Sequence, residues 1–160
     1  MADPAEFTSK EAQRIARVTY RQADYWVRTG LVRPTVGAKG YGSRRKWSFR
    51  DIVALRTVAA LKAAGVSLQA IRKVQRALLT FEGDDDALRG GRLVLEQSRK
   101  NPDVALALDD AAVMSLLKRP GECLARVVFE MEPVFADVAQ GVGAVFEERA
   151  RSAPRRKTAA

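Results

Sequence analysis

Six residues of one short run carry side chains suited to reading a duplex: Thr19, Tyr20, Arg21, Gln22, Tyr25 and Arg28. A guanidinium presents paired donors that match guanine O6 and N7, and an amide can do the same for adenine. Hydroxyl and phenol groups reach base methyls or phosphate oxygens. A second group, Lys39, Arg44, Arg45 and Lys46, follows among glycines and gives a local charge of +4. Small residues let such cations approach phosphates or a minor groove closely. The chemistry implied is DNA recognition, in which Arg21 and its neighbours specify and the later cations position.

Each residue also has a plainer reading. Arg21 could be a solvated surface group, but a cation at a helix start opposes the helix dipole and needs another reason to be there. Gln22 is shared between helix capping and base reading. The plainer reading of Tyr25 is a core aromatic, and Arg28 follows it at i, i+3 spacing on the same side. Trp26, with Ala23 and Val27, is assigned to the core, and Trp47 to the apolar base beneath the basic segment.

Positioning these groups requires short, well-capped helices. Thr8 with Glu11 forms a capping box, after which Ala12, Ile15 and Ala16 give the inward stripe of a first helix. Val18 closes it at a tight turn. Thr19 with Gln22 opens a second helix, stopped by Gly30, and two short helices joined by so brief a turn are a helix-turn-helix pattern. Leu31 to Pro34 reads as extended because the residue before proline avoids the helical region. The glycine-rich residues 35–43 and the extended Arg44 to Trp47 read as a β-hairpin wing. Ser48 caps a third helix with Ile52, Leu55, Val58, Ala59 and Leu61 inward, ending at Gly65, and Ser67 caps a fourth with Leu68, Ile71, Val74 and Leu78 inward.

Beyond Thr80 the composition changes. Residues 82–91, with Asp84, Asp85 and Asp86, read as an acidic solvated linker rather than a cation site. Leu93 to Leu95 and Val104 to Leu108 flank Asn101, Pro102 and Asp103 as a second hairpin. Pro120 and Gly121 break the chain, Leu124 to Met131 suits a third strand, and Pro133 fits the first turn of a closing helix lined by Val134, Val138, Val142 and Val145. Gly141 and Gly143 count against that helix. Cys123, among apolar neighbours, reads as a small buried hydrophobe. The basic stretch from Arg149 reads as a disordered tail adding sequence-independent affinity for nucleic acid, or merely solubility.

The 160 residues suffice for an ordinary core, and one cysteine with no histidine leaves no material for a zinc site, an intrachain disulfide or a histidine acid/base pair. No cluster of nucleophile, base and oxyanion donor is visible, so an enzyme is not expected, and neither is a metal or cofactor. The net charge of +9 is unevenly spread: +11 over residues 1–80, −7 over 81–148 and +5 over 149–160. The first half is the polyanion-binding half. Without a bilayer-length apolar run or a signal-peptide pattern, the expected location is the cytoplasm, at the nucleoid. Twenty arginines against eight lysines, with abundant alanine, point to a GC-rich bacterial genome.

Taken in order, these residues resemble the MerR family of bacterial transcriptional regulators, winged helix-turn-helix proteins that usually bind DNA as dimers. The resemblance covers roughly Thr8 to Thr80. It rests on Val18-Thr19 opening the recognition helix, the Tyr25-Trp26 pair, Gly30 to Pro34, the wing ending in Arg45 to Ser48, and Gly65 to Leu68 before Ile71. Thr19 to Gln22 with Asp24 to Trp26 is most similar to a subgroup common in high-GC bacteria. Tyr25 resembles the family tyrosine that hydrogen-bonds a phosphate, and a phosphate role for it is what that resemblance implies. Many members carry arginine where this chain has Asp24, so one expected contact is absent and its neighbours must compensate. Metal and redox sensors of the family follow the fourth helix with a long antiparallel dimerisation helix and effector cysteines, which this chain replaces with the acidic stretch and an α/β segment. Metal and redox sensing are therefore not implied.

The resulting expectation is a mainly α protein with small β: a winged helix-turn-helix at residues 8–80, an acidic linker at 81–91, a small α+β dimerisation or sensing segment at 92–148, and a tail at 149–160. Its expected partners are double-stranded DNA, a second copy on an inverted repeat, and RNA polymerase or another protein through the C-terminal segment. Two rival readings are an excisionase-like or architectural DNA-bending protein acting without effector, and a DNA-tethered module that recruits a protein.

Overall fold

The computed structural model describes residues 6–36, 44–97, 102–118 and 125–154. Lys39 with the glycine-rich part of the wing, Asn101, the Pro120-Gly121 break, Cys123 and the end of the tail lie outside them. The elements in chain order are β1 (Phe7–Thr8), α1 (Ser9–Ala16), α2 (Tyr20–Arg28), β2 (Lys46–Trp47), α3 (Phe49–Ala63), α4 (Leu68–Thr80), α5 (Asp85–Arg89), β3 (Arg92–Gln97), β4 (Asp103–Ala107), α6 (Asp110–Leu117), β5 (Ala125–Glu130) and α7 (Glu132–Ser152). Among the described residues the fold is mainly helical with two small antiparallel sheets, β1-β2 and β4-β3-β5. No described helix is long and apolar enough to cross a membrane.

Local chemistry sets the helix starts. Thr8 and Glu11, Thr19 and Gln22, and Ser48 and Asp51 each form reciprocal capping boxes, while Ser67 accepts from the Ala70 N–H. Each supplies partners to backbone N–H groups that the helix itself leaves unpaired. Arg17, in the left-handed region at φ 58, ends α1 and permits the immediate turn into α2. Gly30 and Gly65, at φ 72 and 78, turn the chain after α2 and α3, where a side chain would be strained.

Five features depart from the sequence reading. The acidic stretch contains α5, capped by Asp84 and anchored by the buried Leu88, and Arg50 of α3 reaches Asp85 at 2.8 Å as well as the carbonyls of Phe81 and Gly83. Leu68 is 38% exposed rather than part of the inward stripe of α4. Phe7 and Thr8 form a strand that pairs with Trp47 and Lys46. Helix α6 was not foreseen; Asp109 caps it, and only Val113 is fully buried. Helix α7 runs to Ser152, so Arg149 and Arg151 are helical rather than part of a disordered tail.

One contiguous core includes Phe7, Ile15, Trp26, Trp47, Ile52, Leu55, Ile71, Leu93, Leu95, Val138 and Val145. Helix α7 packs against α1 and α3, and the sheet face bearing Leu93 and Leu95 joins the same cluster. Val94, Ala107 and Val113 form a smaller cluster beneath α6 on the opposite face.

The glycines of α7 have different roles. A Cβ on Gly141 would lie 2.9 Å from Ile15 Cγ2 and 3.2 Å from Ile15 Cα, so this glycine is where α7 and α1 meet. A Cβ on Gly143 would meet nothing within 4 Å. Gly141→Ala is expected to destabilise by about 1 kcal/mol, overpacking outweighing the gain in helix propensity, whereas Gly143→Ala should stabilise by roughly 0.5–1 kcal/mol. Urea unfolding of the two variants would show the opposite signs.

A polar clamp closes the other end of the α1–α7 contact. Arg149 donates to Glu11 Oε2 at 2.7 Å and to the Glu6 carbonyl at 3.0 Å, and its guanidinium lies 5.3 Å from the Phe7 ring centroid. The hydrogen bond from Arg149, reinforced by those from Thr8, holds the Glu11 carboxyl below its ordinary value of 4.5. Because the folded state favours the ionised form, this contribution is fully present above 4.5 and lost as the pH falls through the lowered value. The melting temperature of wild type should therefore exceed that of Glu11→Gln at pH 7, and the gap should close as the pH drops below 4.5. A gap that persisted unchanged in acid would show that the carboxylate charge is not what matters.

Candidate nucleic-acid interface

Helix α2 presents two unlike faces. Ala23 and Trp26 are each 3% exposed and Val27 is half-buried, which fixes the inner face. The outer face then carries Tyr20 at 63% exposure, Tyr25 at 51%, Arg21 and Arg28. Tyr25 is thus outside the core, leaving its phenol able to meet a ligand.

The start of this helix is fixed by its cap. The Thr19 N–H donates to Gln22 Oε1 at 2.9 Å, and the Gln22 N–H donates to Thr19 Oγ1 at 3.2 Å. Capping thus uses the oxygen of the Gln22 side chain and not its amide nitrogen, so one residue can both cap and donate outward. Arg21 stands beside this cap, exposed, and has no ion-pair partner among the described residues.

Asp24 lies at the centre of the outer face. Its carboxylate bonds Arg28 Nε at 2.9 Å through one oxygen and a terminal nitrogen of Arg45 at 2.9 Å through the other. The side chains of Asp24 and Arg45 are 20% and 21% exposed, so this pair is better shielded from solvent than the exposed Arg28 arm. At the position where the resemblance implied a missing contact, a clamp ties α2 to Arg45, just ahead of β2. That link joins residues 21 apart and needed the fold to be seen.

The two ends of the expected wing segment meet at an isolated bridge between Val36 and Lys46. Asp51 fixes its base, with Oδ2 accepting from the Thr35 N–H at 2.7 Å, the Thr35 hydroxyl at 2.6 Å and the Ser48 N–H at 2.8 Å. Trp47, 1% exposed, donates from Nε1 to Ser9 Oγ at 3.2 Å. Arg44 is exposed, whereas Lys46 is drawn to Glu6 at 2.6 Å. The structure thus brings Thr19, Tyr20, Arg21, Gln22, Tyr25, Arg28 and Arg45 onto α2 or against it. It does not bring Lys46 to the same group, and Lys39 is outside the described residues.

A cleft of about 330 Å³, which the sequence did not reveal, lies beside α2 and is lined by Arg17, Gln22, Trp26, Arg56, Lys62 and others. Arg56 and Arg17 share Asp137 of α7 at 3.0 and 3.9 Å. Their basic character was visible in the sequence, but they lie on two separate segments, the end of α1 and α3.

Residues 7–78 match the family model described as MerR HTH family regulatory protein. An uncharacterized HTH-type transcriptional regulator of Mycobacterium bovis is 48% identical to this chain over 67 residues, and so is one of Mycobacterium tuberculosis. The matched stretch covers 41% of this chain and 30% of each relative, so less than a third of those relatives is represented.

Proposed function

We propose, on the premise that residues 7–78 are a MerR-family helix-turn-helix domain, that the chain is a transcriptional regulator binding DNA as a homodimer on an inverted repeat. Helix α2 enters the major groove with Arg21 and Gln22 toward base edges, while Thr19, Tyr20, Tyr25 and Arg28 border them and the wing cations Lys39, Arg44, Arg45 and Lys46 grip the flanking backbone. The observation that carries this reading is the contrast at α2: Arg21 is exposed and without an ion-pair partner among the described residues, while Arg28 and Arg45 are bound to Asp24. Residues 8–80 form the DNA-binding unit in this reading, 81–91 connect it to 92–148, and the latter supply the dimer contact and a surface for RNA polymerase or another protein. No catalytic activity is assigned.

The test is selection from a random duplex library at about 0.15 M salt, where charges beyond roughly 8 Å are screened, followed by sequencing. An enriched inverted repeat supports the proposal. Direct repeats would favour an architectural DNA-bending protein instead, and no enrichment would overturn sequence-specific recognition by this chain.

A further inference from the structure

The sheet β4-β3-β5 ends on β5, which has no second neighbouring strand among the described residues. The N–H of Met131 donates to the Gly91 carbonyl at 3.1 Å, one step beyond the Arg92–Glu130 pair. In an antiparallel ladder, alternate residues direct their backbone groups to the same side. The odd-numbered residues of β5 therefore bond β3, and Arg126, Val128 and Glu130 direct their N–H and C=O groups outward. Val127 and Val128 are each 38% exposed. An apolar edge of this kind is a template for another strand.

The residues along this edge are self-complementary. With a two-fold axis through Val128, Val128 faces its own copy and Arg126 faces the second copy's Glu130, and these outward-directed residues form hydrogen-bonded pairs with two backbone bonds each. On this face Glu96 already pairs with Arg126 at 3.3 Å and Arg92 with Glu130 at 3.8 Å. The row across the joined sheets then reads Glu96, Arg126, the second copy's Glu130 and the second copy's Arg92, alternating in sign. On the opposite face the row is Leu95, Val127, the second copy's Phe129 and the second copy's Leu93, all apolar. Sliding the pairing by two residues puts a charge opposite a valine, and sliding it by four puts Arg126 opposite Arg126 or Glu130 opposite Glu130. The outward backbone groups, the charge rows and the apolar rows all select the same register.

We propose that β5 pairs antiparallel with β5 of a second copy about an axis at Val128, joining the two three-stranded sheets into one of six strands. The inference rests on the homodimeric reading above and specifies its interface. Sedimentation velocity on the full chain over a concentration series tests it. Wild type should be dimeric, and Val128→Lys should raise the dimer dissociation constant at least roughly tenfold, because two like charges then face each other. Val128 neither bonds β3 through its backbone nor belongs to a buried cluster, so the variant should keep the wild-type circular dichroism. As an independent variant, Val128→Cys in a Cys123→Ser background should cross-link on mild oxidation, since facing Cα atoms of a hydrogen-bonded pair lie about 5.5 Å apart. Ala125→Cys should not, its copies being about 20 Å apart. A wild-type dimer unaffected by Val128→Lys, with no Val128→Cys cross-link, would overturn the β5 interface while leaving the homodimer intact. A wild-type chain that stayed monomeric at every concentration, with and without DNA, would overturn both.

Discussion

Arg21→Ala is expected to give a protein that still binds DNA but distinguishes poorly between its site and a scrambled duplex. A bidentate arginine to guanine contributes about 1–3 kcal/mol of discrimination, so the ratio of specific to scrambled affinity should fall by roughly 5- to 150-fold. Loss of a phosphate contact would lower both affinities together and leave the ratio alone. Arg45→Ala is the comparison. Its guanidinium is held by Asp24, and its removal both deletes a cation and leaves the Asp24 carboxylate less neutralised beside the duplex. It should therefore weaken binding to all sequences and reduce the dependence of log affinity on log salt by about one. Arg21→Lys should resemble Arg21→Ala in specificity, because an ammonium keeps the charge but loses the planar fork. Competition titrations with both duplexes at several salt concentrations separate these outcomes. Equal losses on the two duplexes for Arg21→Ala would make Arg21 a backbone contact and place specificity elsewhere on α2.

What could be read from the sequence follows the range of the interactions concerned. The starts of α1, α2, α3 and α4 were legible because a cap and its partner lie three residues apart and advertise themselves in the chain. Strands β3 and β4 were legible as short apolar runs on either side of turn residues, and β5 through its β-branched and aromatic residues. Helix α5 was not: three aspartates in succession look like solvated linker, and although Asp84 caps the helix by accepting from the Ala87 N–H at 2.8 Å, what anchors it is one leucine in the core together with Arg50, which comes from 35 residues away to bond Asp85. Helix α6 has apolar residues around its whole circumference and offers no 3.6-residue stripe to detect. Strand β1 consists of two residues defined solely by pairing with Trp47 and Lys46.

The candidate interface divides in the same way. Arg21, Gln22 and Tyr25 could be singled out from helix position, but the role of Asp24 could not. Its two partners are one helical turn away and 21 residues further along the chain. Sequence position predicts which residues an element presents; it does not predict which of them neutralise one another.

Trp47→Ala is expected to be the most destabilising change at the interface, and through the fold rather than through contact with DNA. The side chain is 1% exposed, lies opposite Phe7 in the β1-β2 pair, and bonds Ser9 at the start of α1. Truncating a buried tryptophan costs about 3–5 kcal/mol, a large share of the roughly 5–15 kcal/mol that holds a domain together. The urea midpoint should fall by the corresponding amount. Trp47→Phe, which retains most of the apolar volume and gives up the indole hydrogen bond, should cost about 1–2 kcal/mol. Because Phe7, Trp47, Leu93 and Val138 belong to one contiguous core, the loss should be distributed over the molecule. Fluorescence of the remaining Trp26 and far-ultraviolet circular dichroism should then report a single coincident transition. DNA affinity measured well below that transition should stay near wild type and fail on modest warming, the reverse of Arg21→Ala, which should lose specificity with its melting temperature unchanged. If the residues of β3, β4 and β5 instead unfolded at the wild-type urea concentration while the helix-turn-helix melted early, the two halves would be independent units, and α7 would be only a loose strap against α1.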